Sequence, residues 1–344
     1  MSRDPWFRIL KPLTARRSAV LYVCSFLLPI ALWSAVSYLP FFWHPMMRVV
    51  EPGGVSWFKA GLLVEREAFV REEAKARDAG KPAPIGKRAN PVFLPAPHEV
   101  GRAFYTAFTT EPALRGDVWL HESLWRSVRT IFWGFLLSSV VGIPLGILCG
   151  SYAAWSRTTE PVVDFIRYMP APAFGALAVA VLGIHEAPKI AIIFIGTFFQ
   201  QVLVVANTVR RVDPTLLEAA QTLGAKGRQL ITRVVVPAKL GELYTDTRIL
   251  LGWAWTYLIV AEVVGVSSGI TYFINQQAKY RNFDNVYAAI IMIGFLGLGT
   301  DQVLAFIGKR LFPWENPRPS RVRTFFQRLF AGRDVVIFPG KDVT

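Results

Sequence analysis

The chain has 344 residues, a formal net charge of +14 at pH 7 and 53% hydrophobic residues. Its mean hydropathy of +0.36 is too high for a soluble basic protein, so membrane orientation explains the charge better than a nucleic-acid partner does. Only helices satisfy their own backbone in lipid, which predicts an all-α polytopic membrane protein. Six stretches come close to the roughly 20 apolar residues that cross a bilayer. They are 18–40, 127–150, 162–184, 188–209, 243–266 and 286–308.

The positive charge is concentrated in three segments, 1–17, 210–240 and 309–344, which together carry thirteen of the fourteen excess charges. Six spans place all three on one side of the membrane, and the positive-inside rule makes that side the cytoplasm. We therefore expect a multi-pass protein of the bacterial inner membrane with both termini cytoplasmic. Anionic headgroups would strengthen this attraction, so membrane lipids are expected partners.

The N-terminal segment 1–17 mixes apolar and basic side chains, as is typical of an amphipathic helix in the headgroup region. The apolar run after it is longer than a signal peptide's and lacks a small-residue cleavage site, so 18–40 is expected to remain as the first helix. Residues 41–126 then form an extracytoplasmic segment. Within it, Glu–Arg pairs four residues apart predict a helix over 60–79, which Gly80 ends.

Two of the spans contain glycines or prolines at informative positions. Gly142, Gly146 and Gly150 stand four apart on one face of the second span. This spacing permits close helix packing, either within the chain or at a seam between two copies. Pro170 and Pro172 lie together in the third span and predict a kink or a break there.

The polar segment 210–240 predicts a helix, a turn and a second helix. Asp213 suits the N-cap, Pro214 suits the first helical position, and Gly224 is placed to end the helix because glycine tolerates positive φ. The apolar residues of this first helix are predicted to share one face: Leu216, Leu217, Ala220 and Leu223. The second helix is predicted to end before Pro237. A membrane protein has little reason to place a helix pair in a basic loop unless another protein docks on it.

The same segment contains Glu218-Ala219-Ala220, then three residues, Gly224, nine residues and Val234-Val235-Val236-Pro237. This spacing resembles the EAA loop of ABC importer permeases, with Val234 and Val236 where the family pattern has Ile and Leu. In that family the loop carries a coupling helix that sits in a cleft of a cytoplasmic ATPase. The resemblance assigns this coupling to Glu218, Ala219, Ala220, Gly224 and Pro237.

The resemblance extends over roughly 94–314, about two thirds of the chain. Residues such as Gly142-Ile143-Pro144-Leu145-Gly146 are similar to the nitrate, sulfonate, taurine and bicarbonate branch. A type I importer permease fold is implied, with six helices, a core at 127–312 and a cytoplasmic tail at 313–344. Relatives have a shorter connection after the first helix, which makes 44–90 an expected extracytoplasmic insertion.

Partners and substrate also follow from this resemblance. It implies an ATPase subunit, an extracytoplasmic solute-binding protein and a second permease copy, with a homodimer expected. ATP and magnesium would bind to the ATPase, and this chain would bind no cofactor and catalyse no reaction. The implied solute is a small anion such as nitrate, bicarbonate or an alkylsulfonate.

Polar residues inside the spans are the candidates for the translocation path, because polar groups are costly in lipid. Each also has an alternative role as a structural hydrogen-bond partner. An acidic side chain would repel an anion, so a structural or gating role is favoured for Glu262. The candidates are Gln200, Gln201, Asn207, Thr256, Glu262 and Asp301.

Two other classes of protein compete with a permease. A membrane-embedded transferase would need paired acids or a motif such as H-E-x-x-H, and none appears. An ion-driven secondary transporter often has repeated halves, and this sequence has no visible repeat. Neither class explains the EAA-like loop, and the lack of a G-x-x-x-x-G-K-[ST] phosphate loop means that a partner would supply the energy.

Overall fold

The structure is a computed structural model that describes residues 15–39, 44–112, 118–264 and 268–315. Most of the predicted amphipathic segment 1–17 and almost all of the predicted tail at 313–344 lie outside these ranges. The first elements are α1 (Ala15–Tyr38), β1 (Met46–Glu51), β2 (Leu63–Glu65), α2 (Arg66–Asp78), β3 (Ile85–Ala89) and α3 (Pro97–Thr109). They are followed by α4 (Leu120–Ser151), α5 (Ala153–Arg167), α6 (Gly175–Leu182), α7 (Ala187–Arg210), α8 (Pro214–Thr222) and α9 (Arg228–Leu230). The last elements are α10 (Val236–Val264), α11 (Ile270–Lys279) and α12 (Phe283–Leu311).

Within the described residues, five helices are long and apolar enough to cross a membrane: α1, α4, α7, α10 and α12. A sixth candidate span is the pair α5 and α6, which meets at a bend of 89°. The third predicted span, 162–184, falls on this pair. The bend lies at Pro170 and Pro172, where the sequence predicts a kink or a break, because proline cannot donate a backbone hydrogen bond.

The contacts divide the chain into two compact units. The first unit comprises residues up to Gly134, Pro172–Ile193 and Thr256–Leu296, and the second comprises Phe135–Ala171, Phe194–Trp255 and the residues from Gly297 onwards. Each of α4, α7, α10 and α12 therefore contributes residues to both units.

In the first unit, the segment after α1 contains a small antiparallel sheet that the sequence analysis did not predict, in the order β2-β1-β3. Its core includes Phe58 and Phe69, whose rings stack with centroids 5.4 Å apart. The helix predicted over 60–79 begins only at Arg66, because Leu63–Glu65 pairs with β1 as a strand. It ends at Asp78, and Gly80 follows with φ of +67°.

In the second unit, the glycine face of α4 packs against α7. A Cβ atom added at Gly146 would lie 2.7 Å from Cβ of Val205, and one added at Gly150 would lie 2.6 Å from Cβ of Val209. Neither distance is possible between real side chains, so Gly146 and Gly150 are what allow the two helices to touch. Of the two alternatives left by the sequence, these glycines therefore pack within the chain.

Replacing one of these glycines should destabilise the fold. We expect Gly150→Ala to cost about 1–3 kcal/mol, because its methyl group would also lie 2.7 Å from the backbone oxygen of Ala206. The matched control is Gly252→Ala in α10, where nothing lies within 4 Å of an added Cβ. Thermal unfolding in detergent should show a lower Tm for Gly150→Ala only. An unchanged Tm for Gly150→Ala would contradict this packing.

Candidate functional site

Helix α8 begins as the sequence predicts, with Asp213 as its N-cap. The Asp213 carboxylate accepts hydrogen bonds from the backbone N–H of Thr215 at 2.9 Å and from the Thr215 hydroxyl at 2.6 Å. The hydroxyl and backbone hydrogen bonds from Thr215 lower the pKa of Asp213. Pro214 occupies the first helical position, where its missing N–H costs nothing.

The end of α8 also follows the prediction. Gly224 adopts a left-handed conformation with φ of +89°. Its N–H donates to the carbonyl of Gln221 at 2.9 Å, and the N–H of Ala225 donates to the carbonyl of Ala220 at 3.0 Å. These two bonds form a Schellman motif, which a glycine at this position favours. The EAA-like segment is therefore a short helix closed at both ends by its own residues.

The faces of α8 differ from the prediction. Leu217 packs against a buried cluster formed by Val205, Val209, Val212, Val235 and Leu243. Leu216 and Leu223 instead point outward, with 43% and 89% of their surface exposed. The prediction of a single apolar face is wrong, because neighbouring residues on a helix are separated by about 100° and Leu216 cannot share the face of Leu217.

The exposed side of α8 carries an apolar strip. Leu216, Ala219 and Leu223 are spaced i, i+3 and i+7, so they lie along one line of the helix, and all three are exposed. We call these three residues the outer strip. Glu218 is also exposed and lies beside it. A short apolar line of this kind, on a helix held at both ends, has the form of a helix that docks into a groove.

The prediction that Pro237 ends a second short helix is wrong. Pro237 is the second residue of α10, which continues to Val264. The preceding residues, Ile231–Val235, form a π-helical turn, in which the N–H of Val236 bonds to the carbonyl of Ile231. Because this wider turn already shifts the hydrogen-bond ladder, the proline fits after it without breaking the helix.

Polar contacts hold the end of α7, where the EAA-like segment begins. Arg210 donates to the Glu160 carboxylate, to the Ser156 hydroxyl at 3.0 Å and to the amide oxygen of Asn207 at 3.1 Å. The hydroxyl of Thr208 donates to Asp246 at 2.5 Å. The amide of Asn207, a candidate for the translocation path, is thus engaged by an arginine at the end of its own helix.

The model of one protein family matches residues 142–313, which is half of the chain. The description of that family is binding-protein-dependent transport system inner membrane component. The chain belongs to this family. The family match includes the whole EAA-like segment, α8 and the π-helical turn.

Curated relatives agree with this assignment. A probable ABC transporter permease of Brucella abortus is 35% identical over 65% of this chain and 87% of its own length. The putative aliphatic sulfonates transport permease SsuC of Bacillus subtilis is 32% identical, over 60% of this chain and 74% of its own. The taurine transport system permease TauC of Escherichia coli is 28% identical, over 65% and 81%. The permease is therefore a multi-pass inner-membrane protein and a non-catalytic subunit of an importer.

Besides Asn207, two predicted path residues in the second unit have protein partners. Gln201 is fully buried, accepts a hydrogen bond from Ser138 at 2.9 Å and donates one to Ser139 at 3.1 Å. The Asp301 carboxylate receives two hydrogen bonds from the Arg248 guanidinium, at 2.9 and 3.2 Å. Both sets of contacts join two spans of the permease, α4 to α7 and α10 to α12.

The remaining two amide and hydroxyl candidates differ in exposure. Gln200 is half-buried on α7, and Thr256 lies at an exposed position of α10. Their role in the translocation path stays a prediction. An exposed hydroxyl on a span can line a path or face a neighbouring subunit.

Glu262, in the first unit, is at the centre of a buried polar network. Its carboxylate accepts hydrogen bonds from the Ser127 hydroxyl on α4 and from the backbone N–H of Thr271 at 2.8 Å. The Ser127 oxygen in turn accepts the N–H of Ile270 at 2.8 Å. Gly269, with φ of +101°, passes so close that an added Cβ would lie 2.1 Å from a Glu262 oxygen. The network fixes the start of α11, which supports a structural role for Glu262.

The sequence analysis missed one charged residue of this region, Lys189. It lies in the first turns of α7, with only 2% of its surface exposed. Its ammonium group donates to the Ser268 carbonyl at 2.9 Å and to the Ser268 hydroxyl at 2.7 Å. The sequence did contain a signal for this residue, because a lysine within the apolar start of a span is rare and usually has a specific partner.

Proposed function

We propose that the permease forms the membrane path for a small anion in an ATP-driven importer. The names of three related permeases support this choice. The relatives SsuC, TauC and CmpB are named for aliphatic sulfonates, taurine and bicarbonate, which are small and carry an anionic group. The anion would be delivered by an extracytoplasmic solute-binding protein, which would provide much of the selectivity.

The proposed docking site for the ATPase is the outer strip of α8. The observation that carries this proposal is the exposure of Leu223, 89%, on a helix whose ends are both capped. Leaving a leucine in water is unfavourable, and covering it with a groove of another protein recovers the hydrophobic free energy. Ala219 allows a close approach to the groove wall, and Glu218 supplies a charged contact at its edge. ATP and magnesium would bind to the ATPase, with no cofactor on the permease.

Force from the ATPase would enter the membrane helices through Leu217. This residue contacts the cluster that contains residues of α7, of the π-helical turn and of α10. A cavity of about 370 Å³ lies beside it, lined by residues that include Gly150, Gln221 and Ile231. Leu217 packs against this cluster beside the cavity, and we propose that the cavity leaves room for α8 to tilt.

The proposed topology places α8 and both termini in the cytoplasm, according to the positive-inside rule. The segment 41–126 would then be extracytoplasmic, on the side of the solute-binding protein. A second permease copy would complete the path, as a homodimer.

Reconstitution tests this function with defined components. The permease, its ATPase and its solute-binding protein are placed in proteoliposomes, and uptake of taurine, an alkanesulfonate and bicarbonate is measured with each component omitted in turn. Uptake of one anion that requires all three proteins and ATP is the expected result. Uptake by the permease alone, driven by an ion gradient, would contradict the proposal.

A further inference from the structure

The first unit contains an open cleft of about 920 Å³ next to the small sheet. Its walls come from the end of α1, from β1 and β3, from the start of α3 and from the turn between α11 and α12. Most of these elements precede residue 142, where the match to the family begins. The cleft is thus built largely by a part of the chain for which the family match provides no function.

The cleft is strongly basic. Lys87, Arg88, Arg102 and Arg281 line it, are exposed, and have no ion-pair partner among the residues that the structure describes. A fifth cation, Arg48, donates to Glu99 at 2.9 Å. We call the first four residues the basic set.

The acidic residues of the cleft do not balance this charge. Among the residues that the structure describes, Glu99 and Asp284 are the only acidic residues that line the cleft. Burial raises the pKa of Glu99, but hydrogen bonds from the Ala96 N–H and from Arg48 outweigh it and lower the pKa overall. Glu99 is therefore an anion whose oxygens already accept hydrogen bonds from Arg48 and from the Ala96 N–H at the N-terminus of α3. The cleft retains an excess of positive charge, which its concave walls concentrate.

The sheet places two of these cations directly opposite each other. Arg48 on β1 and Lys87 on β3 are register partners in the antiparallel pair, so their side chains share one face. Like charges in such a position destabilise a sheet. The ion pair with Glu99 offsets the charge of Arg48, so an anion bound in the cleft would be needed only to offset the charge of Lys87.

Arg281, another residue of the basic set, has a strained backbone conformation. Arg281 has φ of +62°, and it is the one residue other than glycine with positive φ among the described residues. It occupies the C′ position of a Schellman motif, since its N–H bonds to Ala278 and that of Asn282 bonds to Gln277. Glycine is the usual residue there and would be less strained. Retaining an arginine at this position is explained if its charge is used in the cleft.

We propose that the basic cleft docks an acidic surface segment of the solute-binding protein; this inference rests on the proposed function. The chemistry favours a protein segment over a small anion, because the cations are exposed and distributed over a wide opening rather than converging on one point. Exposed charges around a docking surface mainly accelerate association and select the partner. Carboxylates of the binding protein would engage the basic set.

Charge reversal tests the proposal on the assembled transporter in nanodiscs of phosphatidylcholine, which contain no anionic lipid. We expect Lys87→Glu with Arg102→Glu to weaken binding of the solute-binding protein by about tenfold or more and to reduce its salt dependence. The matched control is Lys59→Glu with Arg71→Glu, two exposed cations of the same segment that do not line the cleft. The control should stay within about twofold of the unmodified transporter.

A second variant separates binding from folding. Arg281→Gly removes a charge and relieves the strained backbone, so we expect a higher Tm together with weaker binding of the solute-binding protein. If Arg281 takes no part in docking, the variant would show the higher Tm without a loss of binding, and that result would contradict the proposal.

The outcomes distinguish this inference from the proposed function. If the solute-binding protein fails to stimulate ATP hydrolysis by the unmodified transporter, the proposed function itself fails. If it stimulates the unmodified and the charge-reversed transporters equally, only the docking inference is overturned. Saturable binding of sulfate or taurine to the permease, lost on charge reversal while docking is unchanged, would identify a small-anion site instead and would also overturn the inference.

Discussion

An arginine in place of Ala219 is expected to separate the permease from its ATPase. Ala219 is the central residue of the outer strip and is exposed on α8. A groove that accepts an alanine cannot accommodate a long, charged side chain without losing its contacts with Leu216 and Leu223. Forcing a larger side chain into a packed contact costs about 1–3 kcal/mol, and at about 2 kcal/mol the affinity for the ATPase should fall by about 30-fold. Binding of the ATPase to the detergent-purified permease measures this directly.

The matched control is Ala238→Arg, which makes the same substitution at an exposed position of α10. We expect it to leave ATPase binding and uptake close to those of the unmodified permease. Equal losses for Ala219→Arg and Ala238→Arg would show that charge on this side of the protein, rather than the outer strip, determines the association.

Replacement of Glu262 by leucine should destabilise the permease itself. The change removes the acceptor for the Ser127 hydroxyl and for the Thr271 N–H, and it leaves Lys189 with less compensating negative charge in a buried region. Each buried donor that loses its partner costs about 1–3 kcal/mol. We therefore expect Glu262→Leu to cost about 3 kcal/mol or more, measured as a reduced Tm and a reduced yield of folded protein.

Glu262→Gln is the comparison that separates a structural role from a role in the path. The amide oxygen can still accept from Ser127, while its NH2 group cannot accept from Thr271, so an intermediate Tm is expected. Transport by the folded fraction should persist in this variant. A normal Tm for Glu262→Leu together with lost transport would contradict the structural role and assign Glu262 to the path.

Local sequence signals were sufficient to predict those elements whose ends are set by neighbouring residues. Asp213 and Pro214 start α8, and Gly224 ends it, because an N-cap, a first-turn proline and a left-handed glycine act within one turn of helix. The bend between α5 and α6 follows from two prolines that are close in sequence. The resemblance to importer permeases likewise began from spacing within one loop, and the family match over residues 142–313 confirms it.

Features that depend on distant residues could not be derived in the same way. A π-helical turn precedes Pro237, so the proline alone predicted an end where the helix continues. Lys189 and Ser268 are 79 residues apart, and the sequence around Lys189 does not indicate which residue it contacts. The pairing of Arg48 with Lys87 depends on the register of a sheet whose strands are short and weakly patterned. The basic cleft appears only when these elements come together.

The orientation of α8 illustrates the same limit. Periodicity grouped Leu216 and Leu223 with Leu217, but of these three leucines only Leu217 packs against the buried cluster. Only the contacts reveal that one leucine anchors the helix and that two others remain free for a partner. The exposure of Leu216 and Leu223 therefore identifies which surface of α8 is available for docking.

Site-specific photo-cross-linking tests the central claim most directly. A photoreactive amino acid is introduced at Leu223 and, as a control, at Ala238, and the assembled transporter is irradiated. We predict a cross-link from position 223 to the ATPase subunit and none from position 238. Cross-linking from 238 but not from 223, in a transporter that still hydrolyses ATP, would contradict the assignment of the outer strip as the docking site of the ATPase.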